Sequence, residues 1–458
     1  MVSDMKPKSS ALGSPSSVRL DTVAPVAAVD RAEATRTFAR IGLLSFGGPA
    51  AQIAVMHRIL VDEKRWLTEP QFLHALNFCM LLPGPEAMQL ATYAGWKLHG
   101  VRGGLIAGLL FILPGFAMML ALSAAYVLWG ETPVLAGLFF GLKAAVLAVV
   151  AEALLRVGRR ALKSRAMVFV AVAAFVAIAL VKAPFPVVVL GAGLIGAFGH
   201  RLWPALFPAG AAEGDTLPET SNGGLATFAR TVALWLAVWL VPLGVIAAVF
   251  GARGVVSKMT AVFFWASGVT FGGALAGLAW VGQQAVEAYG WLSAEAMIAG
   301  LGLAETTLGP LVLVLVFVGF VGGAAHADMP PLAGGLIGGT VAMWFTFAPC
   351  FLWIFAGAPH VERLRRVRWL SAAMAAITPA GVGALANLAL WFGLHVLFGE
   401  FREVVLGPLW LPAPSIAGFD WRAGVIALSS AVALLRFHVA MPAVLGAAAI
   451  AGMALTAI

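Results

Sequence analysis

Apolar runs of about 20 residues, separated by short polar stretches, make up most of the chain beyond residue 36. Continuous runs fall near 103–129, 134–155, 166–182 and 184–200, then at 226–250, 330–357, 370–397, 421–436 and 440–457. Each has the length that takes a helix across or nearly across a bilayer. Barrel strands would alternate apolar and polar over roughly 10 residues, and these runs do not. The pattern predicts an all-α polytopic integral membrane protein. Four further apolar segments, around 36–60, 70–98, 260–282 and 294–325, are broken by glycine and proline. Residues 1–35, rich in Ser, Pro and Ala, lack the apolar core of a signal peptide and read as a disordered cytoplasmic tail. Residues 201–225 read as a polar linker, and 226–250 as a linking transmembrane helix between a first membrane repeat, 36–200, and a second, 251–458.

The broken segments belong to an internal duplication. Phe38 to Pro85 aligns without a gap on residues 263–310, an offset of 225, and twelve of the 48 positions are identical. The identities include Phe46-Gly47-Gly48 with Phe271-Gly272-Gly273, Trp66-Leu67 with Trp291-Leu292, and Gly84-Pro85 with Gly309-Pro310. Matching alanines and leucines would follow from composition. Tryptophan, proline and paired glycines in one register do not, so the chain carries a repeat.

Charge orients the repeats. Only 11% of residues are charged against 61% hydrophobic, and the mean hydropathy is +0.95. The net charge of +8 sits in short loops, as the positive-inside rule expects, and does not point to nucleic acid. Arg156, Arg159, Arg160, Lys163 and Arg165 mark one loop as cytoplasmic, whereas Gly130–Pro133 carries only Glu131. In the second half the loop holding Arg363, Arg365, Arg366 and Arg368 follows the span that Gly130–Pro133 follows in the first. Equivalent loops therefore fall on opposite sides, the pattern of an inverted-topology repeat. The two cysteines, Cys79 and Cys350, lie in apolar segments and read as buried packing.

Helices interrupted at matching positions predict a midplane site. Breaks free backbone groups that lipid cannot satisfy, so they face protein or a wet cavity. A helix restarting after a break aims free N–H groups and a positive dipole end at that place, which suits an anion. The candidate binding set is Ser45, Phe46, Gly47, Gly48, Pro49 and Gln52; Pro83, Gly84, Pro85 and Glu86; Thr270, Phe271, Gly272 and Gly273; and Thr307, Gly309 and Pro310. Lys143, about halfway along its span, is the candidate fixed positive charge. Small residues that only let helices pack closely are the competing reading. Glu86 and Glu305 are awkward beside an anion, and would either carry a coupling proton or neutralise Lys143, Arg40 or Lys97. The histidines have no metal-ligand spacing. No nucleophile–base pair, phosphate loop or cofactor motif is present, so neither an enzyme nor a cofactor is expected.

The run FARIGLLSFGGPAAQIA, followed by RWLTEPQFLHALNFCMLLPGPEAMQLATYAGW, resembles the bacterial chromate ion transporter family of long-chain, two-domain type. GLKAAVLAV and FFWASGVTFGGALAGL resemble it too, and the likeness extends from about residue 36 to 458. It implies a multi-pass inner-membrane protein that exports chromate and confers resistance. Ala274 and Leu308 stand where the first repeat has Pro49 and Pro83, so the two half-sites are expected to be unequal. The partners expected are chromate, sulfate as an alternative tetrahedral dianion, the lipid bilayer and a second copy in a homodimer. A sulfate or oxyanion carrier and a non-transporting scaffold are the competing functions.

Overall fold

The computed structural model describes residues 29–46, 48–80, 82–130, 132–202, 225–269, 274–360, 368–398, 401–407 and 409–456. Its first helices are short. Helix α1 (Arg31–Leu44) stops at Ser45, and α2 (Gly48–His57) widens at its end into a π-helix, Arg58–Glu63. At 1.5 Å per residue α1 is about 21 Å long, too short for a hydrocarbon core of about 30 Å. Nor does α2 continue in the direction of α1. Lys64 Nζ meets Glu33 Oε1 at 2.7 Å, and Arg40 meets Glu63 at 2.8 Å, so the far end of α2 returns to the start of α1. The pair is a hairpin with its tip at residues 45–48. The sequence leaves open whether such a broken segment crosses or re-enters, because two short arms look alike whether extended or folded; the ion pairs select the folded path. Helix α1 also begins inside the stretch read as tail, since Ala34, Thr37, Phe38 and Ile41 share one buried face.

Helix α3 (Glu69–Cys79) starts at a capping box, in which Thr68 and Gln71 exchange side-chain and backbone hydrogen bonds. After residues 83–85 comes α4 (Glu86–Trp129), which folds back on itself at His99 and Gly100, the latter with φ of 62°. The arms press together so closely that Gly95 lies on the carbonyl of Gly103 and Gly104 on that of Thr92. Then follow α5 (Pro133–Ala161), α6 (Arg165–Ala179) and α7 (Phe185–Leu202). Helix α8 (Leu225–Phe250) leads into the second half.

There the order recurs: α9 (Val255–Val269), α10 (Ala274–Gln283) with its own terminal π-helix Gln284–Ala288, and α11 (Ala294–Thr306). Helices α12 (Val314–His326) and α13 (Pro331–Gly357) repeat the two arms of α4, and Gly323 lies on the Gly334 carbonyl. The set closes with α14 (Arg368–Phe398), α15 (Trp421–Leu435) and α16 (Met441–Thr456). The duplication extends to single hydrogen bonds. Trp66 N–H donates to the Leu60 carbonyl at 2.9 Å, and Trp291 N–H to that of Ala285 at 2.7 Å, each partner shifted by 225. The residue before each tryptophan is left-handed, Arg65 at φ 53° and Gly290 at φ 60°.

The halves are interlocked. Helix α5 packs on α15 and α16 of the second half, while α14 packs on α6 and α7 of the first. Glycines allow the backbones to meet. Gly141 lies on the Ala448 carbonyl and Gly452 on that of Gly137; in the other exchange, Gly196 lies on the Ala372 carbonyl. Close approach through small residues is how helices associate where lipid is as apolar as leucine. Helices α4, α5, α7, α8, α13 and α14 are long and apolar enough to cross a membrane. A strand pair, β1 (Phe401–Leu406) and β2 (Leu409–Pro414), occupies the region read from sequence as a loop. The β-prone run Val404-Val405-Leu406 pairs with Leu409-Trp410-Leu411. Trp410 N–H also donates to the Leu180 carbonyl at 2.8 Å, which fixes the hairpin over the end of α6.

Candidate functional site

Each helix break among the described residues turns on a glycine. Gly48, Gly84 and Gly309 have φ of 80°, 112° and 82°, a region that side chains with a Cβ rarely enter. Proline follows each of them. Pro85 and Pro310 are the caps of the next helical turns, with φ of −73° and −68°. Pro49 sits in the first turn of α2, where a missing N–H costs nothing. Helices restarting at these tips leave first-turn N–H groups without helical acceptors. Gly47 and Thr270, Phe271, Gly272 and Gly273 lie outside the described residues.

Tips from opposite halves are joined. Gly309 N–H donates to the Ser45 carbonyl at 2.8 Å, and Gln52 Nε2 donates to the Gly309 carbonyl at 2.6 Å. Ser45, Gln52 and Thr307 are buried here, whereas Phe46 is exposed. The candidate hydroxyls are already engaged. Ser45 Oγ donates to Ile41 O at 2.6 Å and Thr307 Oγ1 to Ala304 O at 2.9 Å, each closing the end of its own helix. Gln52 Oε1 has no partner among the described residues.

The Pro83-Gly84-Pro85 tip forms a second junction. Gln89 Nε2 donates to the Pro83 carbonyl at 2.7 Å and braces the loop from within α4. Beside it lies a cavity of ≈ 20 Å³ lined by Gly84, Pro85, Ala266, Ser267, Val312 and Thr346, among others. Val312 follows Pro310 by two residues, so this cavity adjoins the first junction as well. Its volume admits a water molecule but not a tetrahedral oxyanion, so binding requires the tips to part. Glu86 opens α4 within electrostatic reach of Cys79. Gln89, Ser267 and Thr346 were absent from the sequence-derived set; they carry no motif, and only burial among the tips reveals them.

The charged candidates fall elsewhere. Glu305, 7% exposed, faces the Glu152–Arg156 ion pair of α5 rather than Lys143 or Lys97. Arg40 pairs with Glu63. Lys143 is half-buried on α5, outside the lining of the cavity, and the acid that attracts it is Glu295 at the start of α11. Glu295 also accepts from Ser293 and feels His395 of α14. The place of Lys143 away from the cavity, with Glu295 as the attracting acid, favours a structural role. Lys143→Met is then expected to lower stability by roughly 1–3 kcal/mol. Lys143→Met combined with Glu295→Gln should regain much of that loss and bind oxyanion like the unaltered protein. Thermal melting and sulfate binding of the purified variants test this, and lost binding in the double variant would return Lys143 to the anion site. Among the described residues no cluster of His, Cys, Asp and Glu is arranged to hold a metal ion.

Comparison with known proteins supplies the relatives. The family described as chromate transporter matches residues 32–197 and 257–453. A chromate transport protein of Pseudomonas aeruginosa is 31% identical over 351 residues, covering 76% of this chain and 77% of that protein. One from Cupriavidus metallidurans is 28% identical over 77% of this chain and 80% of its own length. A probable chromate transport protein of Synechococcus elongatus is 28% identical over 79% of this chain and 84% of its own. No solved structure matches the chain.

Proposed function

Since this chain belongs to the chromate transporter family, we propose that it carries chromate out of the cytoplasm through the junction of its hairpin tips and so confers chromate resistance. The observation that carries the reading is the bonding of Ser45 and Gln52 in one half to Gly309 in the other. A contact between two tips, made by backbone groups and one amide, is where rocking one half against the other would open and close a path. Free N–H groups of restarted helices then meet a tetrahedral dianion with neutral donors. Chromate and sulfate share that geometry and charge, so a sulfate carrier with incidental chromate traffic is the second reading.

Direction follows from electrostatics. An inside-negative potential favours anion exit by about 2.3 kcal/mol per charge per 100 mV, hence roughly 4.6 kcal/mol for a dianion. Export needs no coupled proton, whereas uptake does. In everted membrane vesicles holding the protein, labelled chromate should accumulate in the lumen, and an inside-positive potential should raise the level reached. Accumulation of sulfate alone would select the second reading, and no accumulation of either under any gradient would leave a scaffold.

The two halves are proposed to be inverted, with residues 36–200 and 251–458 as the repeats. In a chain with Cys79 and Cys350 replaced, single cysteines in 157–165 and 360–368 should label from the cytoplasm only. Those in 398–418 should label from the opposite side only. Labelling of both basic loops from outside would contradict the inversion.

A further inference from the structure

We propose that Thr346, at mid-length of α13, contacts the transported anion, and that the cavity between its hydroxyl and the Gly84-Pro85 tip is the dominant half-site. The inference rests on the transport reading and locates the substrate within it. Thr346 is 6% exposed, lines the cavity, and its Oγ1 has no hydrogen-bond partner among the described residues. A buried hydroxyl left without a partner is costly, and a ligand that accepts from it would complete it. The neighbouring buried hydroxyls differ. Ser45, Thr92, Ser123, Thr260, Ser267 and Thr307 each donate to a carbonyl of their own helix.

The repeat shows why only one junction carries this group. The α4 run GGLIAG, Gly103 to Gly108, matches GGLIGG, Gly334 to Gly339 in α13, at an offset of 231. In that register Thr346 corresponds to Gly115. A Cβ at Gly115 would run into the Leu308 carbonyl, so glycine there lets the Thr307–Pro310 tip seat directly on α4. At the other junction threonine stands where the first has glycine; the Gly84 tip rests on Cys350, one turn further along α13, and a small cavity lined by Thr346 remains beside it. Gly84 and Pro85, the N-cap of α4, line the same cavity, and the free first-turn N–H groups of α4 would be the other donors. Ser267 lines the same space from the end of α9. Among the described residues no lysine or arginine lines it. Neutral donors bind a dianion without the long residence a fixed charge would impose, as carriage across a membrane requires.

The test compares Thr346→Val, which keeps the shape and removes the hydroxyl, with Thr346→Ser, which keeps the hydroxyl. Sulfate and chromate binding to the purified proteins is read by calorimetry. Thr346→Val should weaken both about 10-fold or more, the loss expected of one hydrogen bond to a charged group, while Thr346→Ser stays within about 3-fold. In a chain with Cys79→Ala and Cys350→Ala, a Thr346→Cys thiol should react with a small methanethiosulfonate, and sulfate or chromate should slow that reaction while chloride should not. Unchanged affinity in Thr346→Val, or labelling that sulfate and chromate leave unaffected, overturns the assignment while oxyanion binding by the unaltered protein still stands. Absence of binding in the unaltered protein overturns the transport reading itself. Should Thr346→Val fail to fold, the protection experiment decides alone.

Discussion

A Gly84→Ala protein should reach the membrane and lose most of its oxyanion flux. Two effects add at this position. The backbone sits at φ 112°, which costs an L-residue about 1–3 kcal/mol. A Cβ there would also stand 2.8 Å from Cys350 Sγ and 3.1 Å from Gln89 Nε2. Neither neighbour moves freely, since Gln89 holds the Pro83 carbonyl and Cys350 is buried in α13. The tip must shift, and with it the start of α4, whose N-cap Pro85 lines the cavity. Gly309→Ala offers a graded comparison, because its Cβ would meet only Leu313 Cδ1 at 3.0 Å as a close neighbour. Gly48→Ala is the mildest of the three, with open space around the added methyl and only the backbone cost. Flux should therefore fall in the order Gly84, Gly309, Gly48. Equal losses at all three would mean that conformation alone matters and that the packing around Gly84 does not.

The second large effect is on assembly. Gly141→Leu should prevent α16 from docking on α5 and yield little folded protein. At that point two helix backbones are in contact, so a leucine side chain has nowhere to go and no flexible neighbour can yield. Gly196→Leu should act alike on the reciprocal pair, where α7 meets α14. The control lies on the same helix as one of these partners. Gly446 of α16 has nothing within 4 Å of an added Cβ, and Gly446→Leu should be nearly neutral. Detergent-solubilised yield and melting temperature separate the cases. A stable Gly141→Leu protein would contradict the interlocking of the halves.

Much of this architecture was legible because rare residues carried it. Tryptophan, proline and paired glycines align in one register, and the structure repeats their elements, turns and single hydrogen bonds at that same offset. Gly84 and Gly309 were singled out as breaks, and both have the backbone angle only glycine readily adopts. The folding of the first break into a hairpin was not legible. A 14-residue arm with one apolar face before Ser45 fits an extended or a folded path, and the ion pair between Glu33 and Lys64 that decides it joins residues 31 positions apart. The surroundings of Lys143 were hidden for a related reason. Its position in a span marked it as unusual, but its partner Glu295 comes from the other half of the chain. Thr346 was invisible within an apolar run, although the match of GGLIAG to GGLIGG would have set it opposite Gly115. Motifs locate the tips, whereas what stands across from them depends on how two distant halves interlock.

The central claim is that tetrahedral dianions cross the membrane through the junction of these tips. Its most direct test is flux through purified protein reconstituted in liposomes, with labelled chromate and sulfate followed under imposed potentials and under exchange conditions. The account predicts protein-dependent chromate flux that Gly84→Ala removes and that sulfate, but not chloride, inhibits. Chromate flux indistinguishable from that of protein-free liposomes in every arrangement, or flux untouched by Gly84→Ala in a well-folded protein, would contradict it.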